Sequence, residues 1–588
     1  MNKNILYGLI SSAALCAAAV PSVSQNLDPT VVVSRNYEGK LMEVHKPSLD
    51  MAVPDSVTRF DLDFDYSVFE NPYKGSYEFS PYLLTMRPAP RTPQSGKFYL
   101  RAGAGYPLHP VFDMIWSPSF GKGFRMDVYA MHGSFVGQYR AFRPAEYSQS
   151  GTVVVDRWKG EDGTTSFWKG YDLNTRAGID GSYDWEKGTF DFDVAYRGLA
   201  SDDWMRKRSY NAVDFKAGIA SAPAREPHFV YDASVAYLFS DDRAGYDADA
   251  GHRFLNEHVF GAELSLGQDF KGGHKLLFDV AFNVSAYSGA LNAAAGDFSI
   301  VPHYVFEKGR WNLDLGVLFS KTVRSNAADS LFSTRGQLVY PDVTVRFAAV
   351  PDAMSVYLKA GGGNRMNTYT SLTEKNRHVD MAFGRGKPLM DYTVERVRAE
   401  IGFEGRIGGK FSYDLGAGYS NCKNAAFDAV VLYEGAGGEA PAYLPGIAYA
   451  PCSKLFARAD FCLKTESIRA DGVLVYDYVY GLGDAAGLFA PPAFSGDVAF
   501  EYNWNRRIFA GIDCAFALAR AGSIVYNAGR ADAVIPGYAD LGLSFEVAVS
   551  RSFSLWLRGG NLLNMTVQRN PLYAERGISF SAGICFKL

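Results

Sequence analysis

The sequence predicts an all-β protein: a transmembrane antiparallel β-barrel of about 22 strands, preceded by a short N-terminal extension. Three observations predict it. Apolar and polar residues alternate with a period of two in segment after segment beyond Gly96, with little helical periodicity between them. After the N-terminus no uninterrupted apolar run reaches the ~18–20 residues of a membrane-spanning helix, although the chain carries 59 Gly, 36 Tyr and 41 Phe. The connections between alternating segments are mostly short and long in turn, as expected where one side of a barrel has tight turns and the other has long loops; the first, Tyr106 to His109, is the exception, short where an outer loop is expected. Backbone groups in lipid must all be hydrogen-bonded within the protein, so a membrane chain without spanning helices has to close its strand ladder.

Taken in order, residues 1–24 read as a signal peptide. Lys3 precedes a mostly apolar run from Ile5 to Val20, and the small residues up to Ser24 suit cleavage after Ser24. Residues 25–96 form the extension, polar and punctuated by Pro81, Pro88, Pro90 and Pro93, which stiffen its approach to the barrel. Within it Phe60, Leu62, Phe64 and Tyr66 alternate with Asp61, Asp63 and Asp65. Near the mature N-terminus Asp28, Thr30, Val31, Val32 and Val33 make a β-prone stretch. It reads either as a plain edge strand or ordered tail, or as a segment offered to a partner by strand addition.

Residues 97–588 hold the barrel, at roughly 22 residues per strand against a spanning length of ~10. Strands are expected near 97–105, 110–117, 123–135, 172–185, 188–198, 210–220, 228–239, 255–269, 274–287, 297–306 and 311–322. They continue near 337–349, 354–364, 393–406, 411–420, 446–464, 470–480, 496–504, 507–518, 538–549, 552–562 and 577–588. Short connections include Glu186-Lys187, Phe270 to Gly273, Val350 to Ala353 and Asn505-Arg506. Long ones include Val136 to Tyr171, Ser240 to Phe254, Arg365 to Tyr392, Asn421 to Pro445 and Ala519 to Gly537. The even count brings both termini to one side, the periplasmic one. In a membrane barrel the apolar face meets lipid and Asp191, Asp193, Asp279, Asp314, Asp414 and Glu546 line the lumen. Tyr99, Tyr419, Tyr480 and Phe580, at strand ends, suit interfacial girdles.

The closing strand sets Phe580, Ala582, Ile584, Phe586 and Leu588 on one face against Ser579, Ser581, Gly583, Cys585 and Lys587. With Ser581, Gly583, Phe586 and Leu588 it resembles the C-terminal targeting strand of bacterial outer-membrane barrels, most of which end in Phe rather than Leu. Ahead of it stand Gly559-Gly560-Asn561-Leu562-Leu563-Asn564, Pro571-Leu572-Tyr573 and Arg576-Gly577. Together with the strand number these resemble TonB-dependent receptors of the Gram-negative outer membrane. The likeness covers 97–588; the extension is too short for that family's plug and carries no Gly-rich plug motif, which resembles the plug-less, Bacteroidota-type barrels. The resemblance implies a porin-like transport channel in outer-membrane lipid. It also implies that Asp28 to Val33 is a TonB box, with TonB or another periplasmic or outer-membrane protein as partner.

Other chemistry finds little support. The net charge of −4 gives no electrostatic case for nucleic acid. The nine His show no usable pairing, so no catalytic residue is expected and no enzyme. Asp241, Asp242, Asp247 and Asp249 suggest an acidic outer loop, with a spacing unlike an EF-hand, so a solvated cluster rather than a metal site. The five cysteines beyond Cys16 have no CxxC spacing and read as isolated small hydrophobes, with no cofactor. Two functions remain: passage or uptake of solutes, or a structural partner barrel docking other envelope proteins through its N-terminal segment and outer loops.

Overall fold

The computed structural model describes residues 97–588, apart from 122, 141, 143–152, 155–166, 204–205, 223–227, 247–248, 326–330, 352, 385–388, 434–441, 483–486 and 527–528. The expected signal peptide, the extension 25–96 and the stretch Asp28, Thr30 to Val33 lie outside the described residues. No described helix is long and apolar enough to cross a membrane.

The strands in chain order are β1 (Phe98–Tyr106), β2 (Val111–Trp116), β3 (Phe124–Arg140), β4 (Val153–Val154), β5 (Phe167–Trp185), β6 (Gly188–Asp202), β7 (Arg206–Ser221), β8 (Phe229–Tyr246) and β9 (Asp249–Phe270). Then come β10 (His274–Gly289), β11 (Ala293–Lys308), β12 (Trp311–Arg324), β13 (Val339–Val350), β14 (Met354–Met366), β15 (Tyr392–Ile407), β16 (Phe411–Tyr433), β17 (Ala442–Lys464) and β18 (Ile468–Tyr480). The last are β19 (Leu488–Phe489), β20 (Phe494–Trp504), β21 (Ile508–Ala517), β22 (Arg520–Tyr526), β23 (Gly529–Ile535), β24 (Tyr538–Ala548), β25 (Phe553–Gly560) and β26 (Ser579–Lys587). All but β4, β19, β22 and β23 form a closed antiparallel barrel of 22 strands, each paired with its neighbour and β1 paired with β26. The seam runs from Tyr99 opposite Lys587 to Tyr106 opposite Phe580. Leu588 extends it, donating its N–H to the Phe98 carbonyl at 2.9 Å and accepting from the Phe98 N–H at 3.1 Å.

The two faces divide as the alternation requires. Phe580, Ile584, Leu555, Leu557, Phe278, Phe282, Ile401 and Phe403 are exposed on the outer face, where an apolar band suits lipid. Ser579, Ser581 and Cys585 are buried on the lumen side, and Gly583 lies edge-on to Trp556. A side chain on Gly583 would collide with the Ala102 carbonyl and the Gly103 backbone, so the seam needs glycine there. Tyr480 and Phe580 point outward as girdle residues, but Tyr99 does not. It is 2% exposed and packs inside with Ile115, Trp556 and Cys585, because the odd positions of β1 face the lumen.

The connections at the end where the chain closes on Leu588 are short, as at 186–187, 271–273, 408–410 and 505–507, while the opposite mouth carries the long connections 367–391 and 561–578 together with short ones, 107–110 between β1 and β2 and 290–292 between β10 and β11. Several strands run further toward that mouth than the alternation suggests. The stretch 240–254 is not an outer loop: Asp241 and Asp242 lie within β8, paired with Asn256 and Leu255, and Asp247 lies outside the described residues. Likewise β16 and β17 fill most of the stretch read as a loop from Asn421 to Pro445, and β22 with β23 forms a hairpin inside the stretch 519–537. The ladder between β16 and β17 slips between Cys422 and Ala425. Beyond the slip β16 pairs with β19 and, at Val431, with β22, so the upper hairpin belongs to a small second sheet at the mouth.

A candidate functional site: a loop packed across the barrel mouth

The connection 367–391, between β14 and β15, folds into the barrel. Thr368 caps a short helix, Tyr369–Lys375, by accepting from the Ser371 N–H, and a 3-10 turn follows at Met381–Gly384. Leu372, Val379, Met381, Phe383, Leu389 and Met390 are all nearly fully buried and form one apolar cluster with Leu255, Tyr287, Ala295 and Ile447 of the strands and Leu291 of the β10–β11 connection. Burying such a row on a loop is favourable by about 1.5–3 kcal/mol per large side chain, which supplies much of the drive to fold inward.

Polar groups then fix the position. Glu257, completely buried, accepts from the Tyr369 N–H at 2.7 Å, the Thr370 N–H at 3.0 Å and the Thr370 hydroxyl, and also from Ser240 at 3.1 Å. The two N–H groups are backbone donors of the first helical turn, which have no intrahelical acceptor. Asp242, also completely buried, takes Arg208 through Nε at 3.0 Å and Nη2 at 2.6 Å, together with the Tyr369 hydroxyl. Arg208 in turn donates to the Arg377 carbonyl. Arg206 pairs with Asp380 at 2.5 Å, the two being 3% and 1% exposed, and donates to the His378 carbonyl at 2.7 Å. Arg197 pairs with Glu374 at 2.5 Å. Buried charges of this kind are tolerable only when matched and hydrogen-bonded; each arginine of the wall here faces a carboxylate or carbonyl of the loop.

Two nearby loop residues hold different parts of the barrel. Arg377 forms an ion pair with Asp172 of β5, while the Lys375 ammonium donates to the Ala426 carbonyl of β16 at 2.8 Å. β5 and β16 stand eleven strands apart out of 22 in the barrel order, but Ala426 lies beyond the slip, in the upper part of β16 at the mouth. The loop therefore joins the β5 wall to that upper hairpin. Burial pushes the Lys375 ammonium pKa down and lowers that of His378 well below its ordinary value, the latter helped by the positive charge of Arg377, Arg206 and Arg208.

His378 stacks on Tyr573, ring centroids 3.8 Å apart at 12°. Tyr573 belongs to a second inward segment, 561–578, between β25 and β26. There Arg569 bridges Asp540 at 3.2 Å and Glu575, and Leu572 and Tyr573 pack with Val430, Phe489, Ile524 and Ile535 of the second sheet.

Toward the short-turn end the lumen keeps a recess lined by Arg125, Asp127, Asp180, Asp191, Asp193 and Lys216. The other carboxylates expected inside are there too. Asp279 and Asp314 flank His303 at 3.0 and 2.8 Å, Asp414 accepts from Tyr357 and Glu546 from Ser554 and Lys587. Among the described residues no group of three or more His, Cys, Asp or Glu is placed to hold a metal ion. Of the expected acidic loop, Asp242 is instead the buried counter-ion of Arg208. Sequence reasoning missed the mouth loop as a site. The signal available was its density of Leu, Val, Met and Phe, which is high for a solvated loop.

No protein-family model matches the chain, and no curated protein matches it in sequence. Solved structures do match in fold. They include an iron transporter, FrpB, from Neisseria meningitidis, at 10% identity and a TM-score of 0.60, covering 84% of this chain and 81% of that one. A copper transporter, OprC, aligns at 11% identity and a TM-score of 0.57, covering 84% and 80%. The ferric enterobactin receptor PfeA from Pseudomonas aeruginosa, as a point mutant, aligns at 10% identity and a TM-score of 0.57, again covering 84% and 80%.

Proposed function

We propose that this chain is an outer-membrane barrel for passage or uptake of solutes whose long-loop mouth is closed at rest by its own segment 367–391. The observation that carries the reading is the set of buried contacts that hold the loop to Glu257, Asp242 and Arg206, reinforced by the tethers from Arg377 to β5 and from Lys375 to the upper part of β16. A loop fixed in this way obstructs the mouth, and solute passage requires that it let go. The fold is shared with proteins named as iron and copper transporters and a siderophore receptor, which supports transport over a purely structural role. Both termini then face the periplasm, with the long loops outside.

The closure also suits a barrel of the TonB-dependent receptor type without the family's plug, with Asp28 and Thr30 to Val33 as the segment offered to TonB. In this reading the mouth loop does part of what a plug would do. Planar-bilayer recording tests the core of it. The intact protein should be mostly silent, and replacement of 368–390 by a short Gly/Ser linker should give discrete conductance steps; a folded, loop-deleted barrel that stays silent overturns it. Deletion of Asp28 to Val33 without loss of energised uptake would remove the TonB component alone.

A further inference from the structure

The five cysteines read as isolated in sequence are not all isolated in space. Cys422 on β16 and Cys452 on β17 are direct register partners. Both lie on the lumen face, where Cys452 is 7% exposed in a small cluster with Phe427, Ala450 and Leu488, and Cys422 packs against that cluster. Residues directly opposite in an antiparallel pair have Cα atoms roughly 4.5–5.5 Å apart, inside the ~4.4–6.8 Å that a disulfide bridges. Cys462, Cys514 and Cys585 have no such partner: Cys462 stands opposite Ser412 and Asp471, Cys514 opposite Val498 and Leu541, and Cys585 opposite Arg101 and Ser554.

We propose that Cys422 and Cys452 form a dithiol that oxidises to a cross-strand disulfide, stapling the β16–β17 hairpin where it bends over the mouth. The pair sits at the last regular rung before the ladder slips at Ala425. Beyond it Ala429 and Ile447 pack against the closing loop, and a Cβ on Gly446 would strike the Phe383 ring. A bond at this rung fixes the base from which the upper hairpin leans onto the loop, so the oxidised form holds the mouth cover more firmly. The reaction is thiol–disulfide exchange with a disulfide donor, small or protein-borne. Cys422, the more exposed of the two, attacks one donor sulfur as thiolate and expels the other as thiolate. Cys452 then loses its proton and attacks the Cys422 sulfur, releasing the second donor thiolate. Two cysteines are oxidised, one donor disulfide becomes two thiols, and the protons balance. That such donors are at hand rests on the outer-membrane reading above.

The test is a count of thiols on the full-length barrel purified from native membranes. The protein is denatured in excess N-ethylmaleimide, with and without prior reduction, and weighed intact and as peptides. Three of the five cysteines should take the label without reduction and all five after it, with the peptides of Cys422 and Cys452 joined; Cys422→Ser should take four in either condition. A thiol form as isolated that closes this bond in oxidised glutathione upholds the pair and counts only against the compartment. Five labelled cysteines both as isolated and after oxidised glutathione, or a bond to any other cysteine, overturns the proposal. None of these readouts depends on conductance.

Discussion

Replacing Glu257 by alanine should release the loop. The carboxylate is completely buried and accepts from two backbone N–H groups and a hydroxyl of the first loop turn. Alanine leaves these donors inside the barrel with no acceptor at a typical cost of about 1–3 kcal/mol each. Water entering the vacated space recovers part of this, so about 3 kcal/mol is a working figure for the loss of docking free energy. At 1.4 kcal/mol per factor of ten, that raises the undocked population roughly a hundredfold. Two assays read it: the open fraction in planar-bilayer recordings, and the rate of tryptic cleavage after Lys375 and Arg377, which is proportional to the undocked population when docking is fast. Glu257→Gln keeps one acceptor oxygen and should fall between the two. Suppose the alanine variant still migrates as a folded, heat-modifiable barrel, yet opens and is cleaved at wild-type rates. The loop is then held by something other than these contacts, and the reasoning fails.

Arg206→Met removes the guanidinium from the buried Asp380, a loss of about 3–5 kcal/mol for a buried pair; tryptic cleavage after Arg377 should rise at least as much as for Glu257→Ala. Acid should act in the same direction. His378 has a folded pKa well below its ordinary value, so the undocked state binds the proton more readily, and docking weakens as pH falls below about 6.5. The groups facing it are Arg377, Arg206, Arg208 and Tyr573. Glu575, whose carboxyl pKa burial raises, opposes the effect. His378→Phe keeps the stack on Tyr573 and should flatten the acid-induced opening; an unchanged pH profile would assign the acid response to other groups. Gly583→Val puts a side chain against the Ala102 carbonyl and should abolish the heat-modifiable form in gels, whereas Ser581→Ala should leave it intact.

The barrel was legible in the sequence because lipid imposes a strict two-residue period on every strand. Its inward carboxylates followed from the same parity, Asp191 and Asp193 in the lower recess and Asp279 and Asp314 around His303. The mouth was not legible. Asp242 read as solvated because its partner Arg208 is supplied by the neighbouring strand, and Glu257 gave no sign of its helix, 112 residues further on. Long-range pairs of this kind carry no periodicity. Tyr99 was misplaced for a smaller reason: an aromatic at a strand end suits a girdle only if its parity points outward. Cys422 and Cys452 were missed because their meeting depends on the register of a hairpin whose strands extend well past the expected loop boundaries.

The barrel wall is not of even height. At ~3.4 Å per residue and a tilt near 40°, the nine-residue strands β1 and β26 at the seam rise about 23 Å, barely the ~25 Å of an outer-membrane apolar band. The 23-residue strands β16 and β17, seven and six strands from β26 around the wall, have length for about 60 Å on the same geometry, part of it in the upper hairpin beyond the slip. Hydrophobic mismatch therefore falls almost wholly on the seam, where acyl chains must shorten or tilt to meet the protein. Lengthening the lipid should strain the β1–β26 zipper long before it is felt by the strands that carry the gate.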